Sequence, residues 1–417
     1  MRGVCAGRAR IVQARIIGNR ALLNDMEPGG ARVELPARGA RGSCREQPGD
    51  CMKRSTSARA ALLVAPRRFD YRRLPLPAVA DDDGLLRVEA CGLCGTDHEE
   101  FTGELFPGYA FIPGHESIGI IEQIGPRAAA RWGVRVGDRV AVEVFLSCRE
   151  CDACRAGSYQ RCRRHGLADM YGYVDVERAP GLWGGYAEYQ YLAPDSLLCR
   201  IPEGLDAVTA TMFNPVGAGI RWGVTLPSTQ EGAIVAVLGP GVRGLSACAA
   251  ARHAGAGFIL VTGRGARDAP RLAVAEQFGA NLVVDVDTAD PVRELRRATG
   301  GLADVVIDVT AKAPAAFAQA IQLARPGGTI VVAGTRAGTR MGADFDPDPI
   351  VYKELRILGA LGVNTDAYAQ ALELLATHKF PFAALPRRLA GLDDVGDLLG
   401  LMAGDGVPPV HAVVVPS

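Results

Sequence analysis

From Ala233 onward, strand-length apolar runs alternate with helix-length segments, and that alternation admits few folds. Ala233–Leu238, Phe258–Thr262, Leu282–Asp285, Asp304–Asp308 and Thr329–Ala333 read as strands; Gly244–Ala254, Pro270–Phe278, Pro291–Thr299 and Pro314–Leu323 read as the helices between them. A βαβ rhythm of this kind predicts an α/β unit built on a parallel, doubly wound sheet. Between its first strand and first helix stands Gly239-Pro240-Gly241-Val242-Arg243-Gly244. Glycines at these positions let the backbone turn tightly and approach a pyrophosphate, whose charge then lies on the helix N-terminus. A Gly-rich turn with no ligand would carry the same letters. The strand before and the helix after favour dinucleotide binding.

The end of the second strand bears on which dinucleotide. A carboxylate there would accept the ribose 2′-hydroxyl of NAD. Here the strand ends in Gly263-Arg264, with Arg267 close behind. A small residue beside guanidiniums leaves room and countercharge for a 2′-phosphate, so NADP is expected ahead of NAD. The alternative is that both arginines are solvated loop charges.

Before this unit, from Ala58 to about Leu205, short apolar runs such as Leu85–Ala90, Ser117–Ile124, Asp138–Val144 and Tyr186–Leu192 are cut by Gly, Pro and Asp. Strands at that spacing suggest a partly open β-barrel. With the family resemblance set out below, the expected division is 58–212 for the barrel, 213–356 for the doubly wound sheet and 357–417 for a return to the barrel. Residues 1–57 differ: nine Arg lie among scattered Gly and Pro before Asp50, without a sustained period or an apolar run of signal-peptide type. Arginine frequency allows a mitochondrial presequence, against which stand Asp25, Glu27 and Glu34. The expectation is a disordered leader or a start-site artefact, with translation beginning at Met52.

The chain has 417 residues, 48% hydrophobic and 22% charged, with 46 basic and 46 acidic side chains. That balance excludes a disordered or fibrous protein, and zero net charge offers no polyanion-binding surface. Nucleic acid is therefore not an expected partner. No apolar stretch approaches the roughly 20 residues of a membrane span, so a membrane is not expected either.

Of the eleven cysteines, Cys148, Cys151, Cys154 and Cys162 fall within fifteen positions. Clustering of this kind without a signal peptide favours metal or catalysis over disulfides, and points to a reducing cytoplasm. Four thiolates at these spacings suit tetrahedral zinc with no open position, hence a structural ion. An iron–sulfur cluster and unliganded buried thiols are the alternatives; a bacterial ferredoxin run would have a shorter last spacing and a following Pro, whereas Arg163 follows here. A further group, Cys91-Gly92-Leu93-Cys94-Gly95-Thr96-Asp97 with Gly114-His115-Glu116, offers a sulfur, an imidazole and a carboxylate. Three such ligands plus a water define a catalytic zinc site.

Taken together, CGLCGTD at 91–97, GHE at 114–116, GDRV at 137–140, the four-cysteine segment and GPGVRG at 239–244 resemble the zinc-dependent alcohol dehydrogenases of the medium-chain dehydrogenase/reductase superfamily, including its polyol and glucose dehydrogenase branches. The resemblance covers about 360 of the 417 residues and leaves out the leader. It implies a GroES-like catalytic domain around a Rossmann domain, two zinc ions per chain, and a homodimer or homotetramer. It also implies hydride transfer between a small alcohol, polyol or sugar and NADP or NAD. By the same resemblance Cys94, His115 and Glu116 hold the catalytic zinc, Thr96 passes the substrate proton outward, and Asp97 orients the histidine. Two positions depart from the family pattern. Asn214 stands where a further Cys or Glu ligand is usual, and is expected to touch the ion through water or help bind substrate. The relay histidine is Glu99 here, with His98 one position early. Competing expectations are a zinc-free quinone or enoyl reductase of the same fold, and a non-catalytic cofactor-binding protein retaining only the structural zinc.

Overall fold

In a computed structural model of the chain, the residues described are 55–335, 341–342, 345–405 and 409–416. The expected start at Met52 and most of the leader lie outside them.

Six parallel strands form the doubly wound sheet, in the spatial order Leu282–Asp285, Phe258–Gly263, Ile234–Leu238, Ala303–Asp308, Ala324–Val332, Arg356–Gly359. Numbered along the chain this is 3-2-1-4-5-6, the dinucleotide-fold order, with its switch point between the first and fourth strands. The helix Val242–His253 starts at that switch point. It is rich in alanine because it is buried along most of its length and crosses the helix Phe213–Ile220 at close range. A Cβ on Gly219 would stand 2.5 Å from the Ser246 carbonyl, so only glycine fits at that crossing.

One segment differs from its sequence expectation: Pro270–Phe278 divides into a helix Gly265–Leu272 and a 3₁₀ turn Ala275–Phe278. The helix starts at Gly265, whose amide donates to Asp285 Oδ1 at 2.9 Å. Pro270 then lies inside it rather than opening it.

The second sheet has seven strands. Arg387–Ala390 pairs in parallel with His411–Val414. Antiparallel pairs continue through Gly84–Gly92, Glu116–Ile124, Arg139–Val142 and Leu198–Arg200, with Tyr189–Leu192 also on Gly84–Gly92. The C-terminal strand His411–Val414 thus returns to the N-terminal sheet. The edge strand Arg356–Gly359 of the parallel sheet straddles the 356/357 division drawn from sequence, and the helix Thr365–Ala376 after it packs on Phe213–Ile220. No helix among the described residues is long and apolar enough to cross a membrane.

A buried carboxylate joins the cysteine lobe to that late helix. Glu143 follows the strand Arg139–Val142; its Oε2 accepts from Tyr159 Oη at 2.6 Å and its Oε1 from the Phe145 amide at 3.3 Å. Tyr159 Oη in turn accepts from the Thr365 amide at 2.6 Å, where the helix begins. Burial pushes the Glu143 carboxyl up to about 8, against the pull of Tyr159. A raised folded value means the neutral form is the one the fold favours, so its contribution is complete below about pH 4.5 and is lost as pH rises to 8. Glu143→Gln, neutral at every pH, should therefore gain in melting temperature relative to the parent between pH 5 and 8 and level off above. Paired thermal melts across that range check it; a constant difference would refute it.

Candidate active site and zinc centres

The catalytic candidates converge because one short helix and one turn are tied by a single carboxylate. Gly95–Thr102 is capped reciprocally: Thr96 N–H donates to Cys94 Sγ at 3.2 Å, and Cys94 N–H donates to Asp97 Oδ2 at 2.8 Å. Asp97 Oδ1 accepts from the Gly114 amide at 3.2 Å, which fixes the turn carrying His115. Gly114 has φ +89°, and a Cβ there would meet the Tyr186 ring at 2.5 Å, so this turn requires glycine. The outcome is Cys94 Sγ 3.0 Å from His115 Nε2, both side chains buried.

His115 Nδ1 faces Asp97 Oδ1 at 3.7 Å and has no hydrogen-bond partner among the described residues. Burial opposes charge on this ring, but the Cys94 sulfur and the Asp97 carboxylate outweigh it and hold His115 well above the ordinary imidazole range. The pocket is thus arranged to accept positive charge. Ligand atoms of Cys94, Asp97 and His115 lie within 4.8 Å of one another. Both Asp97 oxygens are already engaged by backbone amides, which suits an orienting role, and leaves Sγ and Nε2 as the donors fitting a soft divalent ion. Cys91, the other cysteine of the motif, is core: fully buried against Ser117 Oγ at 3.7 Å. Thr96 is half-buried on the helix, and the burial and neighbouring Lys312 of His98 push that ring below its ordinary value.

Glu116 is not in the group of ligand atoms that lie within 4.8 Å of one another. Its carboxylate occupies space left by Gly92, where a Cβ would come within 2.4 Å of Oε2, and its Oε1 is 3.6 Å from Arg243 Nη2. Burial pushes Glu116 up to about 7, and Arg243 and His115 pull the other way. Asn214 Nδ2 donates to Tyr368 Oη at 3.0 Å, while its Oδ1 accepts from Arg243 Nη2 at 3.3 Å. Among the expected cofactor residues, then, Arg243 points into the catalytic pocket. Sequence reasoning missed that direction, and it missed Tyr368 and Trp222, which buttress the same group; no local signal in the sequence marks either aromatic.

The remaining turn residues fit a dinucleotide. Gly239 has φ +99°, and a Cβ on Gly244 would lie 1.8 Å from the Gly239 carbonyl oxygen. A Cβ on Gly241 would meet nothing within 4 Å, leaving a cradle open above the helix N-terminus that Val242 begins. At the second strand, a Cβ on Gly263 would meet Pro240 at 2.8 Å. Arg264 Nε pairs with Asp287 Oδ1 at 2.9 Å, whereas Arg267 is exposed and has no ion-pair partner among the described residues.

Cys148, Cys151, Cys154 and Cys162 also bring their sulfurs within 4.8 Å of one another. Amide hydrogen bonds from Arg163 and Cys154 pull Cys151 down to about 6, while burial pushes Cys154 up to about 12. Four converging sulfurs suit a closed zinc site.

Comparison with known proteins agrees with this geometry. Residues 80–203 match the family model described as alcohol dehydrogenase GroES-like domain, and residues 243–377 match zinc-binding dehydrogenase. The chain is 65% identical over 360 residues to "Probable alcohol dehydrogenase adh" of Mycobacterium tuberculosis H37Rv, covering 86% of this chain and 98% of that protein. The chain belongs to the zinc-dependent alcohol dehydrogenase family. Sorbitol dehydrogenase of Bacillus subtilis is 31% identical over 323 residues, covering 76% of this chain and 86% of that one. A solved zinc-binding dehydrogenase of Sinorhizobium meliloti 1021 with NADP bound superposes with a TM-score of 0.73 at 29% identity, over 87% of this chain and all of that one. The chain is accordingly an alcohol dehydrogenase of the medium-chain type, acting on a small alcohol or polyol with zinc and a nicotinamide dinucleotide, as the sequence led us to expect.

The glycines separate binding from folding. Gly241→Val should raise the dinucleotide dissociation constant at least about tenfold with an unchanged apo melting temperature, since the new side chain enters only the cradle. Gly244→Ala should lower the melting temperature itself, because its Cβ meets backbone. Calorimetric titration and thermal melts distinguish the two.

Proposed function

We propose that the chain oxidises a small alcohol or polyol, and reduces the corresponding carbonyl, at a zinc held by Cys94 and His115, with NADP preferred over NAD. The observation that carries this reading is the 3.0 Å approach of Cys94 Sγ to His115 Nε2 beside the dinucleotide switch point. When bound, zinc supplies a Lewis acid that favours the alkoxide over the alcohol near neutral pH. Asp97 keeps His115 turned so that Nε2 faces the sulfur. Thr96, half-buried at the start of the capped helix, is the hydroxyl that takes the substrate proton toward solvent. The helix and the turn after it contact the dinucleotide-binding unit: Thr335 Oγ1 donates to Glu99 Oε1 at 3.2 Å, and Lys312 pairs with Glu104. Such closure excludes water from the hydride path.

Preference for NADP rests on the missing carboxylate at Gly263 and on Arg267. Because Arg264 is shared with Asp287, Arg267 is the freer countercharge for a 2′-phosphate. The NADP-bound relative supports the same choice. A homodimer or homotetramer is the proposed assembly, supported by the exposed Val351, Tyr352, Ile357 and Leu361 near the free sheet edge. A reducing cytoplasm is the proposed compartment, since none of the eight cysteines among the described residues is in a disulfide.

Two measurements test the reading. Cys94→Ser should abolish turnover on a panel of alcohols, polyols and aldoses, lower zinc from about two to about one per chain, and leave NADP binding intact. Undiminished activity would refute the assignment. Arg267→Ala should reduce kcat/KM with NADP by about tenfold or more while sparing NAD, as expected for loss of a charge-assisted contact. An unmoved ratio would end the NADP reading.

A further inference from the structure

Glu100 is a buried acid beside the active site that the protein itself leaves unanswered. It lies on the inward face of the helix Gly95–Thr102, is 0% exposed, and neither carboxyl oxygen has a hydrogen-bond partner among the described residues. The groups around it are committed elsewhere. Asp97, one turn earlier, receives the amides of Cys94 and Gly114. Tyr109 and Tyr173 are near enough for the Glu100 charge to act on their phenols. Yet Tyr109 Oη donates to the Tyr173 carbonyl at 3.1 Å, and Tyr173 Oη to the Leu105 carbonyl at 2.9 Å. Burial, reinforced by the Asp97 charge, holds Glu100 well above the ordinary carboxylate range. A neutral carboxyl offers an O–H donor and an acceptor oxygen. Both are cut off from water here with nothing in exchange, so the group calls for an occupant.

Its place on the helix says which occupant fits. Glu100 follows Thr96 by four residues and Asp97 by three. Side chains so spaced are neighbours on one face, with Cβ atoms about 5–6 Å apart. The charges of His115 and Cys94 also act on its carboxyl, which sets it close to that pair. An alcohol whose reacting oxygen lies between the pair and Thr96 can therefore extend its next carbon toward Glu100. A hydroxyl on that carbon donates one hydrogen bond and accepts another, which matches a neutral carboxyl donor for acceptor. An ammonium group has donors only, and would require an ionised Glu100 beside the Asp97 carboxylate. A methylene would leave both oxygens unanswered. We propose that Glu100 is a specificity-determining residue: it binds a hydroxyl on the carbon adjacent to the one oxidised, and so selects vicinal diols and polyols over monohydric alcohols. This rests on the reading of Cys94, His115 and Thr96 as the place of the reacting oxygen, and adds what the site asks of the rest of the substrate.

The test is steady-state kinetics on the full-length, zinc-loaded protein with saturating dinucleotide. Butan-2-ol, butane-2,3-diol and 3-aminobutan-2-ol are compared, since they differ only in the group carried by the carbon next to the reacting one. For the parent, kcat/KM with the diol should exceed that with either of the others by about a hundredfold or more, as expected where a buried polar group is left unpaired by the wrong substrate. Glu100→Leu should bring the ratio of diol to butan-2-ol down to within about fivefold of unity. Glu100→Gln, which keeps a donor and an acceptor in the same outline, should hold that ratio within about tenfold of the parent's. Two zinc per chain and a parent-like NADP dissociation constant show that each variant is folded.

Equal loss of activity on the diol and on butan-2-ol in Glu100→Leu is what a purely structural role produces, and it overturns the proposal. A ratio unmoved from the parent's, as an internal water on Glu100 would leave it, overturns it as well. So does a ratio lost as fully in Glu100→Gln as in Glu100→Leu, because the substrate then meets a charge. A parent active on the wider panel of alcohols, polyols and aldoses, but turning over butan-2-ol or the amino alcohol as well as the diol, is equally fatal. A parent with both zinc ions in place and no activity anywhere on that panel would instead bring down the reading of the site itself.

Discussion

The candidate catalytic pair hangs on one buried carboxylate. Asp97 is 1% exposed, and its two oxygens accept amides from two separate segments, Cys94 at 2.8 Å and Gly114 at 3.2 Å. Those bonds set a helix N-terminus against a glycine turn, and so bring a sulfur and an imidazole from positions 21 residues apart to within 3.0 Å. An unpaired buried carboxylate would cost several kcal/mol, so the arrangement is rigid as well as specific. The same carboxylate, facing His115 Nδ1, settles which ring nitrogen is presented to an ion.

The cleft around that pair is built by the other half of the chain. The parallel sheet supplies a helix N-terminus at its switch point, and close packing of Gly219 against Ser246 sets the helix Phe213–Ile220, with Asn214 on it, directly beside that terminus. Metal pocket and phosphate cradle are consequently neighbours by construction. Arg243 bridges them, since it springs from the cradle's turn and ends at Glu116.

Local signals carried much of this. Strand and helix alternation predicted the parallel sheet, whereas its 3-2-1-4-5-6 order emerges only in the fold, since right-handed crossovers allow other orders. Cys94, His115 and the four lobe cysteines were legible because metal chemistry demands particular residue types at short spacings. Side-chain direction was not. Glu116, which the family resemblance sets beside His115 as a zinc ligand, faces Gly92 and Arg243 here. Likewise Arg243 reads as a phosphate-turn residue, and only the long-range packing of Trp222 and Asn214 decides where its guanidinium ends. The split of the segment 265–278 depended on Asp285, twenty residues later, capturing the Gly265 amide.

The two cysteine sites illustrate how donor number separates structure from reactivity. In the lobe, four sulfurs converge on one point, all tetrahedral positions are filled, and an ion there can only hold the loop together. At Cys94 and His115 two donors converge, and three side chains around them are engaged elsewhere: Asp97 by amides, Asn214 by Tyr368 and Arg243, Glu116 by Arg243. Two donors leave room for an alcohol oxygen beside an ion, which four sulfurs in the lobe do not.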